Sequence, residues 1–168
     1  MQPSNVKVSA VADIIINKLA AAGDPPAAPR VQALMILVAA AWHRNNPAAR
    51  PWDDRLIVQQ NGSIVWKTLY SALHYHKGQP IVPPENHVRL QNGINQVSSN
   101  ETPPSAELLG CIDEVLDRYA GTSPYHLWQA IMATRAVQHP SPGDFTTIVE
   151  IDVVALGEQL SGRALASV

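Results

Sequence analysis

The chain has 168 residues, of which 46% are hydrophobic and 15% charged, a balance that allows one packed core and excludes intrinsic disorder. Its 12 Lys and Arg residues against 14 Asp and Glu residues give a formal charge of −2, without the basic excess of a general nucleic-acid binder. A single cysteine, no leader-like N-terminus and no membrane-length apolar run favour a soluble cytoplasmic protein that does not contact membranes.

Helical periodicity dominates the first part of the chain. Apolar residues recur at three- and four-residue steps over 8–19, which predicts a first helix that ends before Gly23. A second helix is predicted over 30–43, and its wide, almost uncharged apolar stripe indicates the central helix of the core. The β-branched run 56–58 predicts a brief strand, and Asn61-Gly62 predicts a turn.

The later elements are again mainly helical. Ser63 is expected to cap a third helix that reaches His76, and the Pro-, Gly- and Asn-rich stretch 78–103 is predicted to be an irregular loop. Apolar stripes predict a fourth helix over 108–119 and a fifth helix that begins after Ser123. A short strand over 145–151 and a last helix after it complete the predicted order.

These elements predict one mainly α domain over 1–168. We expect a compact bundle of about five to seven helices with one or two short strands, because stripes of this kind can be buried only against one another. The whole-chain pattern shows no internal repeat.

No residue pattern in the sequence points to catalysis. Cys111 lies within a predicted helix and is interpreted as a buried structural thiol, and Asp53-Asp54 as a solvated turn. His74 and His76 are two residues apart, which places them roughly 200° from each other on a helix, so they cannot face one metal ion. We therefore predict no catalytic residues, no metal and no cofactor, and a protein that is not an enzyme, with an enzyme kept as a weaker alternative.

Aromatic residues give the only candidates for a binding site. Trp52 lies in a proline-flanked loop and Trp66 stands at the start of the predicted third helix, and Trp is enriched at binding hot spots. Either tryptophan could equally fold back onto the core. With their neighbours they form the candidate partner-binding set: Trp52, Trp66, Lys67, Tyr70 and His74.

Four segments, in the right order, resemble the Panacea (SocA-like) domain family of bacterial and phage antitoxins. The segment 11–15 resembles the family's "vAdyIl" and the segment 31–43 its "LqKLlYfaqgw". The segment 62–70 lies where the family has its "GPVvpelY" pattern, and 112–123 matches its "ldevldkYg-ls" helix junction. The resemblance covers about residues 8 to 132.

The resemblance implies a function in protein binding. Members of the family neutralise a partner toxin, encoded nearby, by direct contact, and some relatives deliver that toxin to a protease. Two alternatives stay open: a phage-derived interaction domain with another protein target, and a small helical transcription regulator. The second rests on the helix, Gly121 turn and helix that resemble a helix-turn-helix, although Arg135 is the only base of the second helix.

Overall fold

The computed structural model describes residues 4–59, 61–81, 102–138 and 149–161. Two long helices begin the fold. Helix α1 (Val8–Ala21) ends as predicted before Gly23, whose φ of +81° lies in the left-handed region that favours glycine. The next residue closes this end, because its N–H donates to the Leu19 carbonyl at 3.0 Å. A proline-rich connection then leads into helix α2 (Ala28–His43).

A short hairpin follows, where the sequence predicted a helix from Ser63. Strands β1 (Leu56–Val58) and β2 (Ile64–Trp66) run antiparallel, and helix α3 (Lys67–Leu73) begins only after β2. The reason is that the apolar residues 64–66 suit an extended strand opposite β1. The helix that follows is capped by a residue that precedes the hairpin, and not by Ser63. A 3₁₀ turn, His74–His76, ends this region.

The later part of the chain is helical and locally capped. It contains α4 (Ala106–Tyr119), α5 (Pro124–Met132), α6 (Arg135–Gln138), strand β3 (Val149–Glu150) and α7 (Val153–Ser161). Side-chain oxygens cap three of the helices: Ser105 for α4, Ser123 for α5 and Asp152 for α7.

The three strands form one small antiparallel sheet in the order β2-β1-β3. Strand β1 is therefore the central strand, and β2 stands at one edge. In the pairing of β1 with β2, Ile57 lies opposite Val65. Strand β3 falls within the predicted strand 145–151, of which residues 145–148 lie outside the described residues, and most of the predicted loop 78–103 lies outside them as well.

Helix α2 is the centre of the molecule. Nearly every one of its residues is buried, and α1, α3, α4, α5 and α7 all pack against it. This confirms the predicted core helix and the mainly α fold, with seven α-helices and three short strands in the described part of the chain. None of these helices is both long enough and apolar enough to span a membrane.

Candidate functional site

Both candidate tryptophans lie in the core, the second of the two alternatives that the sequence left open, so neither is available as a partner-binding residue. The Trp52 side chain is 0% exposed and Trp66 only 2%. Their ring centroids are 4.9 Å apart at an interplanar angle of 73°, an edge-to-face pair that stabilises the hairpin against the helices. Replacing either ring by Ala would remove a core side chain, at a cost of about 3–5 kcal/mol, and would not test a surface contact.

The other three candidates lie on α3 and the turn after it, and all three are exposed. The rings of Tyr70 and His74 stand one helical turn apart with centroids 5.8 Å from each other. Lys67 is the first residue of α3 and lies outside the concave surface that the other two border. The structure thus groups Tyr70 with His74 and separates them from the tryptophans.

Tyr70 and His74 border a groove of about 500 Å³, a volume in the range of ligand and peptide sites. Four parts of the chain form its walls: the first turns of α2, the turn and strand of β2, α3 with the turn after it, and α5. We call this surface the groove, and its lining residues are Ala28, Pro29, Gln32, Gly62, Ser63, Ile64, Val65, Tyr70, Leu73, His74, Lys77, Gly78, Trp128 and Met132.

One buried polar side chain, Gln32, is built into the groove wall. It is only 4% exposed, and its Oε1 accepts a hydrogen bond from the Trp66 backbone N–H at 2.8 Å. That bond fixes the orientation of the amide, so Nε2 is the donor end, and no described residue accepts from it. A buried donor without an acceptor is costly, and the indole N–H groups of Trp52 and Trp66 share this feature among the described residues. Its one signal in the sequence is a lone amide inside an apolar helix.

Helix α5 closes the groove on the opposite side. The Trp128 indole N–H donates to the Pro29 carbonyl at 3.2 Å and thereby ties α5 to the start of α2. Met132, one turn further along, leaves 45% of its surface exposed. Neither Trp128 nor Met132 is a candidate from the sequence, because an apolar stripe does not reveal which of its members stays uncovered.

The charge of the groove is one-sided. Lys77 and His74 stand at its border, and no Asp or Glu is among the lining residues that the structure describes. Lys77 adopts a left-handed backbone with φ 48°, the one non-glycine residue of the described chain that does so. The surface therefore favours neutral or acidic groups.

Asp54 holds α3 in the position that forms one wall. The carboxylate is 6% exposed, and it accepts hydrogen bonds from the backbone N–H groups of Arg55, Thr68 and Leu69 at 2.8–3.0 Å. This corrects the interpretation of Asp53-Asp54 as a solvated turn: Asp54 supplies the cap that Ser63 does not.

Outside the groove, the cysteine and the possible metal ligands do not form a reactive site within the described residues. Burial raises the pKa of the Cys111 thiol, so the nucleophilic thiolate is disfavoured. Within the described ranges, no three His, Cys, Asp or Glu side chains are grouped so that they could hold a metal ion. The groove is thus the surface with the clearest binding geometry.

Comparisons with protein-family models, with curated proteins and with solved structures find no match to this chain. The resemblance to the Panacea family stays a prediction. The groove is the feature of the molecule from which a function can be inferred.

Proposed function

We propose that this protein is an antitoxin-like protein that neutralises a cognate toxin by direct protein–protein binding, with the groove as the contact surface. The observation that carries the proposal is that Tyr70 and Met132, which are 37% and 45% exposed, border a concave apolar wall. Exposed aromatic and methionine side chains around a concavity are typical of surfaces that a partner desolvates.

The geometry suggests how such binding would be stabilised. A side chain of the partner that enters the groove would be covered by Trp128 and Leu73, and the exposed Met132 would adapt to its shape. Hot spots of this kind lie in well-packed pockets and carry most of the binding energy. The class of partner, a toxin encoded nearby, comes from the Panacea resemblance.

Growth rescue tests the biological part of the proposal. The product of the adjacent gene, expressed alone, should arrest growth, and co-expression of this chain should restore it. A neighbouring protein that is harmless, or that stays toxic in the presence of this chain, would contradict the proposal. Because some members of the family deliver their toxin to a protease, the half-life of the neighbouring protein should be followed in the same cells.

Substitutions in the groove test where the partner binds. We expect Met132→Lys and Tyr70→Ala each to weaken binding of the neighbouring protein by about 2 kcal/mol or more, because the first introduces a charge and the second removes an aromatic wall. Isothermal titration calorimetry measures the change. Leu109→Ala is the matched control, since Leu109 is 37% exposed like Tyr70 but does not line the groove. Unchanged affinity in both groove variants would place the contact surface elsewhere, and an equal loss in the control would show that the losses are not specific to the groove.

A further inference from the structure

Arg30, in the first turn of α2, connects the ends of two other helices. The residue is only 8% exposed, and its Nη1 donates to the Asp24 carboxylate at 2.8 Å. Its Nη2 donates to the Ala120 carbonyl at 2.6 Å. Asp24 follows the end of α1, and Ala120 is the C-terminal cap residue of α4. A buried guanidinium requires such partners, because an unpaired charge in the core is costly.

The bond to Ala120 fixes the place from which α5 starts. The last carbonyls of a helix have no partner within it, and a cation at this end interacts favourably with the helix dipole. Hydrogen bonds from a charged donor are also roughly twice as strong as neutral ones. Three residues, 121–123, separate Ala120 from the first residue of α5, so the position of one restricts the position of the other.

The residue before Arg30 holds the same helix at a second point. The Pro29 carbonyl accepts from the Trp128 indole N–H at 3.2 Å. Two consecutive residues of α2 therefore bind the α5 region, one just before this helix and one in its middle. Pro29 lines the groove on one side, and Trp128 and Met132 line it on the other. The bonds of residues 29 and 30 thus set the distance between two walls of the groove.

We propose that Arg30 is a positioning residue of the groove, which holds α5 where Trp128 and Met132 form a wall that the partner can bind. This inference rests on the proposed function and specifies how its binding site is assembled. Without the bonds of Arg30, α5 stays attached through the buried Leu127 and Ile131, but its orientation is less well defined. A smaller fraction of the molecules then has a formed groove, and the apparent affinity falls by that fraction.

The planar guanidinium explains why arginine suits this position. It carries several donors in a fixed fork, so it can bind a carboxylate and a carbonyl at the same time. Arg30→Lys keeps the charge but replaces the fork by a single ammonium group. Arg30→Leu removes both bonds and leaves an apolar side chain in the core, a change that is often tolerated at buried charges. We therefore expect a graded effect, larger for Leu than for Lys.

Methionine methyl groups report the position of α5 without any partner. The chain has three methionines. Met132 borders the groove, whereas Met35 is buried in α2. In protein isotope-labelled at the methionine methyl groups, Arg30→Lys should shift or broaden the Met132 signal and leave that of Met35 unchanged, and Arg30→Leu should do so more strongly. An unchanged Met132 signal in both variants would overturn the inference, and so would an equal change in Met35, which indicates a general loss of packing.

Arg44→Lys is the matched control. Arg44 lies at the opposite end of α2 from the groove and also joins α2 to α4, because its Nη2 donates to both carboxylate oxygens of Glu114 at 2.7 and 2.9 Å. The variant makes the same chemical change at the same pair of helices and should leave the Met132 signal in place. A shift as large as that in Arg30→Lys would show that contact between α2 and α4 in general positions α5, which would overturn the role of Arg30.

Binding of the neighbouring gene product relates this position to function. By isothermal titration calorimetry, at a temperature at which every variant is folded, Arg30→Lys should bind about fivefold or more weakly, Arg30→Leu more weakly still, and Arg44→Lys like the wild type. A merely structural role would lower the melting temperature of the Arg30 variants without changing the affinity of the folded protein.

The outcomes separate the two proposals. If Arg30→Leu binds and neutralises the neighbouring protein as well as the wild type does, the positioning role is wrong and the proposed function stands. If the Met132 signal changes as expected but the neighbouring protein neither binds nor is toxic, Arg30 still positions α5 and the antitoxin function fails.

Discussion

Asp53 and Asp54 are neighbours in sequence, and each caps a different helix. The Oδ1 atom of Asp53 accepts from the Val8 N–H at 2.9 Å, and its Oδ2 pairs with the Lys7 ammonium at 2.9 Å, so this residue caps α1. Asp54 caps α3 across the hairpin. The residues that directly precede these helices provide no side-chain cap of their own. Two helix termini, far apart in the chain, are thereby joined at one dipeptide.

We expect Asp54→Ala to lower the free energy of unfolding by about 1–3 kcal/mol, because it leaves buried N–H groups without an acceptor. Urea denaturation followed by circular dichroism measures the loss. Asp54→Asn keeps one acceptor oxygen and should lose less. Asp53→Ala, at a more exposed cap, should cost about 1 kcal/mol. An unchanged denaturation midpoint for Asp54→Ala would show that its carboxylate does not cap α3 in solution.

His43, at the end of α2, links stability to pH. Burial lowers the pKa of this imidazole, and the Asn46 carbonyl and the charge of Asp152 only partly oppose the effect. Below about pH 6.5, the ordinary histidine value, the unfolded chain takes up a proton that the folded chain binds less readily. The destabilising effect of His43 is therefore absent well above that pH, and the free energy of unfolding falls as the pH decreases through it.

The matched variant isolates this effect from other titrations. The melting temperature of the wild type should fall more between about pH 7.5 and about pH 5.5 than that of His43→Gln, whose side chain binds no proton in this interval. Scanning calorimetry at the two pH values measures both. The same fall in both proteins would show that His43 is not the group responsible.

At the scale of elements, α7 lies very close to α2. A Cβ atom added to Gly157 would stand 3.3 Å from the Cα atom of Ala40 and 3.4 Å from the Cβ atom of His43. A glycine therefore suits this position because the two helices approach each other closely, and not because of an unusual backbone angle. Because α2 is central, this crossing anchors the last described helix to the core.

A pair of glycine substitutions tests the crossing. Gly157→Val should destabilise the protein by about 1–3 kcal/mol, because the branched side chain forces the helices apart. Gly110→Ala is the control: this exposed glycine of α4 has no atom within 4 Å of an added Cβ, so the variant should gain up to about 1 kcal/mol of stability from helix propensity. Thermal denaturation of both variants measures these changes in stability. A stabilised Gly157→Val would contradict the close packing.

Elements with a local signal were predictable from the sequence. Helices α1, α2, α4, α5 and α7 follow apolar stripes, and the caps at Ser105, Ser123 and Asp152 precede their own helices. Strand β2 was not predicted, because Ile64 and its successors fit either period and only pairing with β1 decides between them. The cap of α3 also escaped prediction, since Asp54 lies 13 residues before the helix begins.

For the whole molecule, the central position of α2 makes its interior intolerant of charge. Leu34 is 0% exposed, so Leu34→Asp should abolish soluble folded protein by burying an unpaired carboxylate. Soluble yield and a melting curve measure this. Leu34→Met, which conserves volume, should fold at a cost below about 1.5 kcal/mol. A normal melting curve for the Asp variant would refute the position of α2 in the core.

The groove was only partly predictable at this scale. Tyr70 and His74 were candidates only as neighbours of Trp66, and the structure shows that they share a face because they lie one helical turn apart. For the two tryptophans the sequence left surface and core equally open, since a loop sequence does not state whether its aromatic ring turns inward, and both rings lie in the core. Gln32 and Met132 were missed, because they approach Tyr70 only through the packing of α2 and α5 against α3, which no local pattern encodes.

The shared dipeptide at 53–54 also limits how the length of this protein can vary between relatives. An insertion or deletion of one residue between Asp53 and Asp54, or directly beside them, would move at least one carboxylate out of reach of its helix. Length changes should therefore be excluded here and occur at exposed turns such as 61–63, where no helix terminus depends on the spacing.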